Sequence, residues 1–336
     1  MGAAQNPRQA VAELLRGKAP ARPLFLPIVF SLGARIENVP LRTYLENPTK
    51  ITSALRQVRE HLPADGVTCY FDPLLEAEAL GAKVHWQTGE GPAEVHWPGG
   101  AGTSHSHRGM RSAEEAAKSG RVPVAAEVIR RMKDALRGTA MVMAGLSGPL
   151  ALAHLILQSK EGRAGRDGEE QAETVRASGA AVGEIARTML EAGADVVLIQ
   201  ERIPAGLAGE CVEEGVSQLR TAANIIQFYE ALPVLLLSAG DARGPLTAFG
   251  GAASACIVCR DWSEARGAQP ATGAEGPICG VSLAANAFDG VESRDQDLRL
   301  AETIRAVRPA LVTTAGDISR IANLKRLAQL RDELKR

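Results

Sequence analysis

Eight short apolar runs recur along the 336 residues of this chain, each followed by a longer segment of helical composition. They cover residues 24–30, 67–72, 140–146, 195–201, 233–239, 255–260, 277–283 and 310–316. Most of their residues are aliphatic or β-branched, and Gly, Pro, Asp or Ser bounds them. Continuous apolar runs of this length suit strands buried on both faces of a parallel sheet. The segments 49–61, 112–136, 170–192, 206–230, 293–307 and 317–335 read as helices between them. Eight strands alternating with helices is the count of a single (β/α)8 TIM barrel of the α/β class. A doubly wound open sheet is the competing arrangement, and two unrelated α/β domains the third.

Two features decorate that rhythm. Residues 1–22 precede the first run and read as an N-terminal helical extension of a domain spanning 1–336. After the second run, Val-His-Trp at 84–86 is repeated at 95–97 across a Gly-rich stretch. That pattern predicts a β-hairpin insertion over 82–98, in which His85, His96, Trp86 and Trp97 pair across the strands. In the segment 170–192, Val175, Val182, Ile185 and Met189 share a helical face with Gly179, where a missing side chain permits close packing.

Composition excludes some partners. With 38 basic against 39 acidic residues, net charge −1, the chain lacks the basic field that nucleic acid or an anionic membrane requires. It has no apolar run of 18 residues, and its first residues lack the charged and apolar regions of a signal peptide. Five cysteines, an odd count, read as free thiols in a reducing cytoplasm.

A barrel of this kind carries its site at the C-terminal ends of the strands. Those ends offer Ser31 and Arg35, then Asp72, Glu76 and Glu78, then Ser147 and His154. Gln200, Glu201 and Arg202 follow, then Ser238 and Asp241, then Cys259 and Asp261, then Cys279 and Ser282, and finally Asp317. Carboxylates mixed with arginines suit a polar or acidic substrate. Gly145-Leu-Ser-Gly-Pro149 joins a strand to a helix, with Pro149 suited to the first turn. The free N–H groups of such a helix start can hold a carboxylate, or the small residues can simply make a tight turn. His154 is the histidine nearest the expected cleft and a candidate for proton transfer.

Cys256 and Cys259 form a C-x-x-C, but inside a strand residues i and i+3 point to opposite faces, so a shared metal is not expected. Cys259 and Cys279 fall on neighbouring strands, where they either meet at the cleft or serve as small core residues. His105 and His107 lie in a loop and offer a weak metal pair.

Several segments, in order and spacing, resemble the uroporphyrinogen decarboxylase superfamily, which includes corrinoid-linked methyltransferases. They are Pro27-Ile-Val-Phe-Ser-Leu-Gly-Ala-Arg35, Tyr70-Phe-Asp-Pro-Leu-Leu75, Gly145-Leu-Ser-Gly-Pro-Leu-Ala-Leu-Ala153, Gly193-Ala-Asp-Val-Val-Leu-Ile199, Cys259-Arg-Asp-Trp-Ser-Glu-Ala265 and Gly280-Val-Ser-Leu283. The resemblance implies a (β/α)8 barrel and places Asp72 where the decarboxylases hold the pyrrole N–H groups of a tetrapyrrole. It places Arg35, and with it Arg202, against substrate carboxylates, and leaves the proton to His154 or Glu76. Ser31 stands where the decarboxylase pattern has an arginine, and Arg202 where it has a serine. Leu155 replaces its tyrosine, and the late histidine is absent from Thr313-Thr-Ala-Gly-Asp317. The implied reaction is decarboxylation by ring protonation, with no cofactor. Methyl transfer with a corrinoid protein partner is the alternative, in which Glu201 and Asp317 position the acceptor. That branch's zinc motif is missing, since the fifth run ends in Leu237-Ser-Ala239. A third reading is a non-catalytic tetrapyrrole-binding barrel. Homodimers occur in the family.

Overall fold

The structure is a computed structural model that describes residues 7–86, 94–97, 110–158, 168–204, 207, 209–237, 256–262, 279–289, 294–318 and 322–335. Each of the eight apolar runs contains a strand. These are β1 (Leu24–Leu26), β2 (Gly66–Tyr70), β5 (Met141–Ser147), β6 (Val196–Glu201), β7 (Leu232–Leu237), β8 (Ile257–Asp261), β9 (Cys279–Leu283) and β10 (Leu311–Thr314). They form one parallel sheet in the order β1-β10-β9-β8-β7-β6-β5-β2. Its two ends meet. The Asp65 N–H donates to the Phe25 carbonyl at 3.0 Å, and the Thr68 hydroxyl donates to the Pro27 carbonyl at 3.4 Å. The sheet is therefore a nearly closed (β/α)8 barrel rather than an open doubly wound sheet.

The helices are α1 (Pro7–Leu15), α2 (Leu32–Ile36), α3 (Leu41–Leu45), α4 (Pro48–His61), α5 (Leu75–Ala79), α6 (Ala113–Ala116) and α7 (Val122–Leu136). Then come α8 (Pro149–Gln158), α9 (Gly168–Glu191), α10 (Gly209–Phe228), α11 (Arg294–Val307) and α12 (Leu324–Leu334). Their starts follow capping chemistry. The Asn47 side chain accepts the Thr49 and Lys50 N–H groups ahead of Pro48, and Ser112 with Glu115 makes a capping box. The segment 112–136 is broken in two because Gly120 takes φ +57°, the left-handed region where a side chain is strained. The last helix starts at Leu324, behind the Asn323 cap, not at 317. Between β2 and α6, β3 (Lys83–His85) and β4 (Glu94–His96) pair antiparallel as a separate two-stranded sheet. No described helix is long and apolar enough to cross a membrane.

Register sorts the strand side chains. Partners on neighbouring parallel strands face one way, and the direction alternates along each strand. Phe25, Val281, Leu283 and Val312 pack with Ala301, Ile304, Leu327 and Leu330 of α11 and α12, so that parity faces outward. The other parity faces the barrel interior. One interior layer reads Leu24, Leu311, Gly280, Cys259, Leu236, Gln200 and Ser147, and the next, nearer the mouth, includes Thr313, Ser282 and Asp261. Small and apolar residues fill the lower barrel, while hydroxyls, amides and carboxylates gather at the C-terminal mouth. On the outside, Gly179 of α9 lets α10 approach until a Cβ would stand 2.5 Å from the Gln218 side chain.

Candidate active site at the barrel mouth

Glu201 ends β6 in register with Leu237, whose parity faces outward. Its carboxylate turns to the start of α8, accepting the Leu150 N–H at 3.0 Å and the Ala151 N–H at 2.8 Å. The Arg202 N–H donates to the same group at 3.0 Å. The helix start in Gly145-Leu-Ser-Gly-Pro149 thus does hold a carboxylate, and it is the chain's own. Glu201 is fully buried, and Gly148 makes room, since a Cβ there would overlap the carboxylate. The residue belongs to the frame of the mouth, not to its opening.

Asp72 follows β2. Its Oδ1 accepts the Leu74 N–H at 3.1 Å, turning the chain towards α5. Its Oδ2 pairs with Nη1 of Arg121, whose Nε donates to Glu78 at 2.5 Å. Arg121 precedes α7 and is 5% exposed. Flanked by Asp72 and Glu78, its guanidinium is held firmly charged although burial opposes this. Trp86, just past β3, lies over it with the charge 5.6 Å from the ring centre. Sequence reasoning missed Arg121. The separation of 49 positions between it and Asp72 hides the pair, and no periodic signal marks an insertion's return point.

Glu76 is fully buried on α5. Its Oε1 accepts the Ser147 N–H at 2.8 Å, while Oε2 is buried without a hydrogen-bond partner. Burial pushes its carboxyl up to about 7 despite the Ser147 bonds, and the Asp72 charge adds to the rise. Ser147 is half-buried and faces the interior, with its hydroxyl donating to the Pro73 carbonyl at 3.3 Å. Glu76, Asp72 and Ser147 therefore sit together where β2 and β5 end.

On the other side of the β1–β2 closure, Asp317 accepts the Phe30 and Ser31 N–H groups at 2.8 and 2.7 Å, clasping the loop after β1. Burial pushes Asp317 up to about 6 against the pull of those bonds. Gln200 faces the interior and donates to the Ala315 carbonyl at 2.9 Å. Arg35 and Arg202 are exposed at the rim. His154 is half-buried on α8, where burial and then the Arg202 charge favour its neutral form. Ser238, Asp241, His105 and His107 lie outside the described residues.

Four of the five thiols are buried, and Cys279 is half-buried. Cys256 and Cys259 are buried, and burial pushes Cys256 up to about 12 and Cys259 well above the ordinary thiol range. Cys259 faces inward against Gly280, whereas Cys279 pairs with Val258 and has the opposite parity. In the hairpin, His85 stands opposite Glu94, and the His85 and His96 rings meet diagonally at 4.7 Å. Among the described residues no group of three His, Cys, Asp or Glu side chains is set to hold a metal. The chain has no histidine beyond His154. The donors present do not fit the zinc of the thiol-activating methyltransferases.

A family model described as uroporphyrinogen decarboxylase (URO-D) matches residues 6–257. Among solved structures, a methyltransferase from Methanosarcina mazei aligns with TM-score 0.80 at 14% identity, over 98% of both chains. A B12-independent methionine synthase from Shewanella sp. W3-18-1, solved with selenomethionine, aligns with TM-score 0.55 at 13% identity, over 93% of this chain and 96% of that one. At such identities the likeness is one of fold. No curated protein sequence matches.

Proposed function

The chain belongs to the uroporphyrinogen decarboxylase family, and from that premise we propose that it decarboxylates a tetrapyrrole-like or other polyanionic substrate at the barrel mouth. Glu76 carries the reading. A carboxyl poised near 7 is in part an acid at neutral pH, which suits proton transfer. Glu76 protonates the electron-rich ring at the carbon next to the one bearing a carboxymethyl arm, which leaves the positive charge conjugated with that arm. The bond to the carboxylate then breaks, its electron pair neutralises the ring, and carbon dioxide leaves. A proton ends on the former arm and the ring proton returns to Glu76. The balance is R–CH2–COO⁻ plus H⁺ to R–CH3 plus CO2, and no cofactor takes part.

Asp72 stabilises the positive charge of the protonated ring. Two of its roughly four lone-pair positions go to Arg121 and Leu74, leaving the others for pyrrole N–H groups. Ser147 holds Glu76 in place from the β5 side. Arg35 and Arg202 at the rim meet outlying carboxylates, with Ser31 and Gln200 as polar contacts. His154, whose neutral form burial and the Arg202 charge favour, exchanges protons between the site and solvent.

Full-length similarity to the Methanosarcina mazei methyltransferase favours a second reading, methyl transfer from a corrinoid protein partner. One experiment separates the two. Anaerobic incubation with uroporphyrinogen III should yield products with fewer carboxylates, and both Asp72→Asn and Glu76→Gln should abolish them. Folded wild-type protein that leaves all eight carboxylates of that substrate intact would overturn decarboxylation of this substrate in favour of methyl transfer.

A further inference from the structure

Arg121 holds a donor that nothing among the described residues uses. A guanidinium presents Nε–H and one Nη2–H as a parallel fork that fits the two oxygens of a carboxylate. Here Glu78 takes Nε alone, and Nη2 is buried without a hydrogen-bond partner. Asp72 occupies Nη1 from the other side. Trp86 covers the guanidinium, and stacking on an aromatic face leaves N–H edges to acceptors. Half of the fork is therefore filled and half is empty.

The half that is filled is held by a side chain able to leave. Glu78 is 27% exposed, against 5% for Arg121 and 8% for Asp72. It lies in the last turn of the short helix α5 and can reach water. Exchanging its carboxylate for one from a ligand keeps the local charge constant and turns one hydrogen bond into two. Arg121 lies beside Asp72, next to the acid Glu76, at the end of the barrel where ligands bind. The cover is only half-buried: Trp86 packs against the edge of the core with Val95 and Trp97, and its two-stranded sheet is joined to no other described strand.

We propose that Arg121 anchors a carboxylate of the substrate through Nε and Nη2, and that Glu78 is the internal stand-in it displaces. This rests on the reading of the site as one for polyanionic substrates. It does not require turnover.

Equilibrium binding of uroporphyrin I, followed by its own emission, tests the exchange. Glu78→Gln removes the competing charge and should bind about tenfold more tightly. Arg121→Lys keeps the charge but loses the fork, and should bind at least roughly tenfold more weakly, in the wild-type and Glu78→Gln backgrounds alike. Glu78 is partly exposed, so Glu78→Gln carries the test even if Arg121→Lys fails to fold. Unchanged or weaker binding by Glu78→Gln would overturn the proposal, as would unchanged affinity in folded Arg121→Lys. If both shifts appear while uroporphyrinogen III is not turned over, decarboxylation falls and the anchor stands. If uroporphyrinogen III is turned over and neither variant shifts binding, the anchor falls and decarboxylation stands.

Discussion

Glu201 and Gly148 interlock: the carboxylate fills the space a side chain at Gly148 would need, and from there accepts two N–H groups of α8. A strand end and a helix start are joined by a buried anion bound to backbone donors, which is the arrangement a helix N-terminus favours.

Their coupling is measurable by urea unfolding. Gly148→Ala should cost about 1–3 kcal/mol by overpacking. Glu201→Ala should cost about as much or more by leaving buried N–H groups unpaired. The two losses should fall short of adding, by about 1 kcal/mol or more, because the alanine at 148 has nothing to strike once the carboxylate is gone. Additive losses would show that the two residues act separately.

Glu76 should make the protein less stable as pH rises. Its folded value near 7 lies above the ordinary 4.5, so its contribution is fully present below about 4.5 and is lost as pH climbs through about 7. The shift corresponds to about 3 kcal/mol at most. Glu76→Gln, which keeps the shape and cannot ionise, should flatten that part of the stability-versus-pH curve between pH 5 and 8. An equally steep decline in the variant would assign the dependence to another group.

Gly179 sets the distance between α9 and α10. Gly179→Ala gains about 1 kcal/mol of helix propensity, yet must push against Gln218 at 2.5 Å. Overpacking at a close helix crossing costs about 1–3 kcal/mol, so the net change should be destabilising. Gln218→Ala removes the Cγ and the amide but keeps the Cβ at 2.5 Å, so it should recover only part of the loss. A Gly179→Ala protein with a higher melting temperature than wild type would mean that the crossing yields readily.

The barrel was legible because all eight strands are continuous apolar runs, a signal that depends only on burial from both sides. Gly179 was legible for a related reason, lying on the same face as Val182 and Ile185. Which residues end the described strands was legible, but not how they pair. Strand parity cannot be counted without knowing where each strand starts, so Glu201, whose parity faces outward, looked equivalent to the inward Gln200. Arg121 gave no signal at all, because its partners sit on the far side of the hairpin insertion. The helix expected from 317 begins at Leu324 since Asp317 is spent on clasping the loop after β1.

The seam between β1 and β2 should fail first in acid. Asp65 accepts both arms of Arg22 at 2.8 Å and the Phe25 N–H at 2.9 Å, tying the two edge strands where the sheet closes. Burial raises its pKa, but Arg22 and Phe25 together outweigh this and hold the carboxyl below its ordinary 3.8. The stabilisation is therefore present above about 3.8 and is lost as pH falls through the lower, folded value. Asp65→Asn loses the charge and one of the two acceptor oxygens, and should cost about 3 kcal/mol at pH 7, the lower end for breaking a buried pair. The variant and wild type should converge in stability as pH falls below the carboxylate range. Hydrogen exchange at the β1 and β2 amides should rise in the variant before exchange at β6 and β7, because two edge strands lose their tie while the opposite wall keeps its ladder. Uniform exchange across all strands would show instead that the barrel opens as one unit.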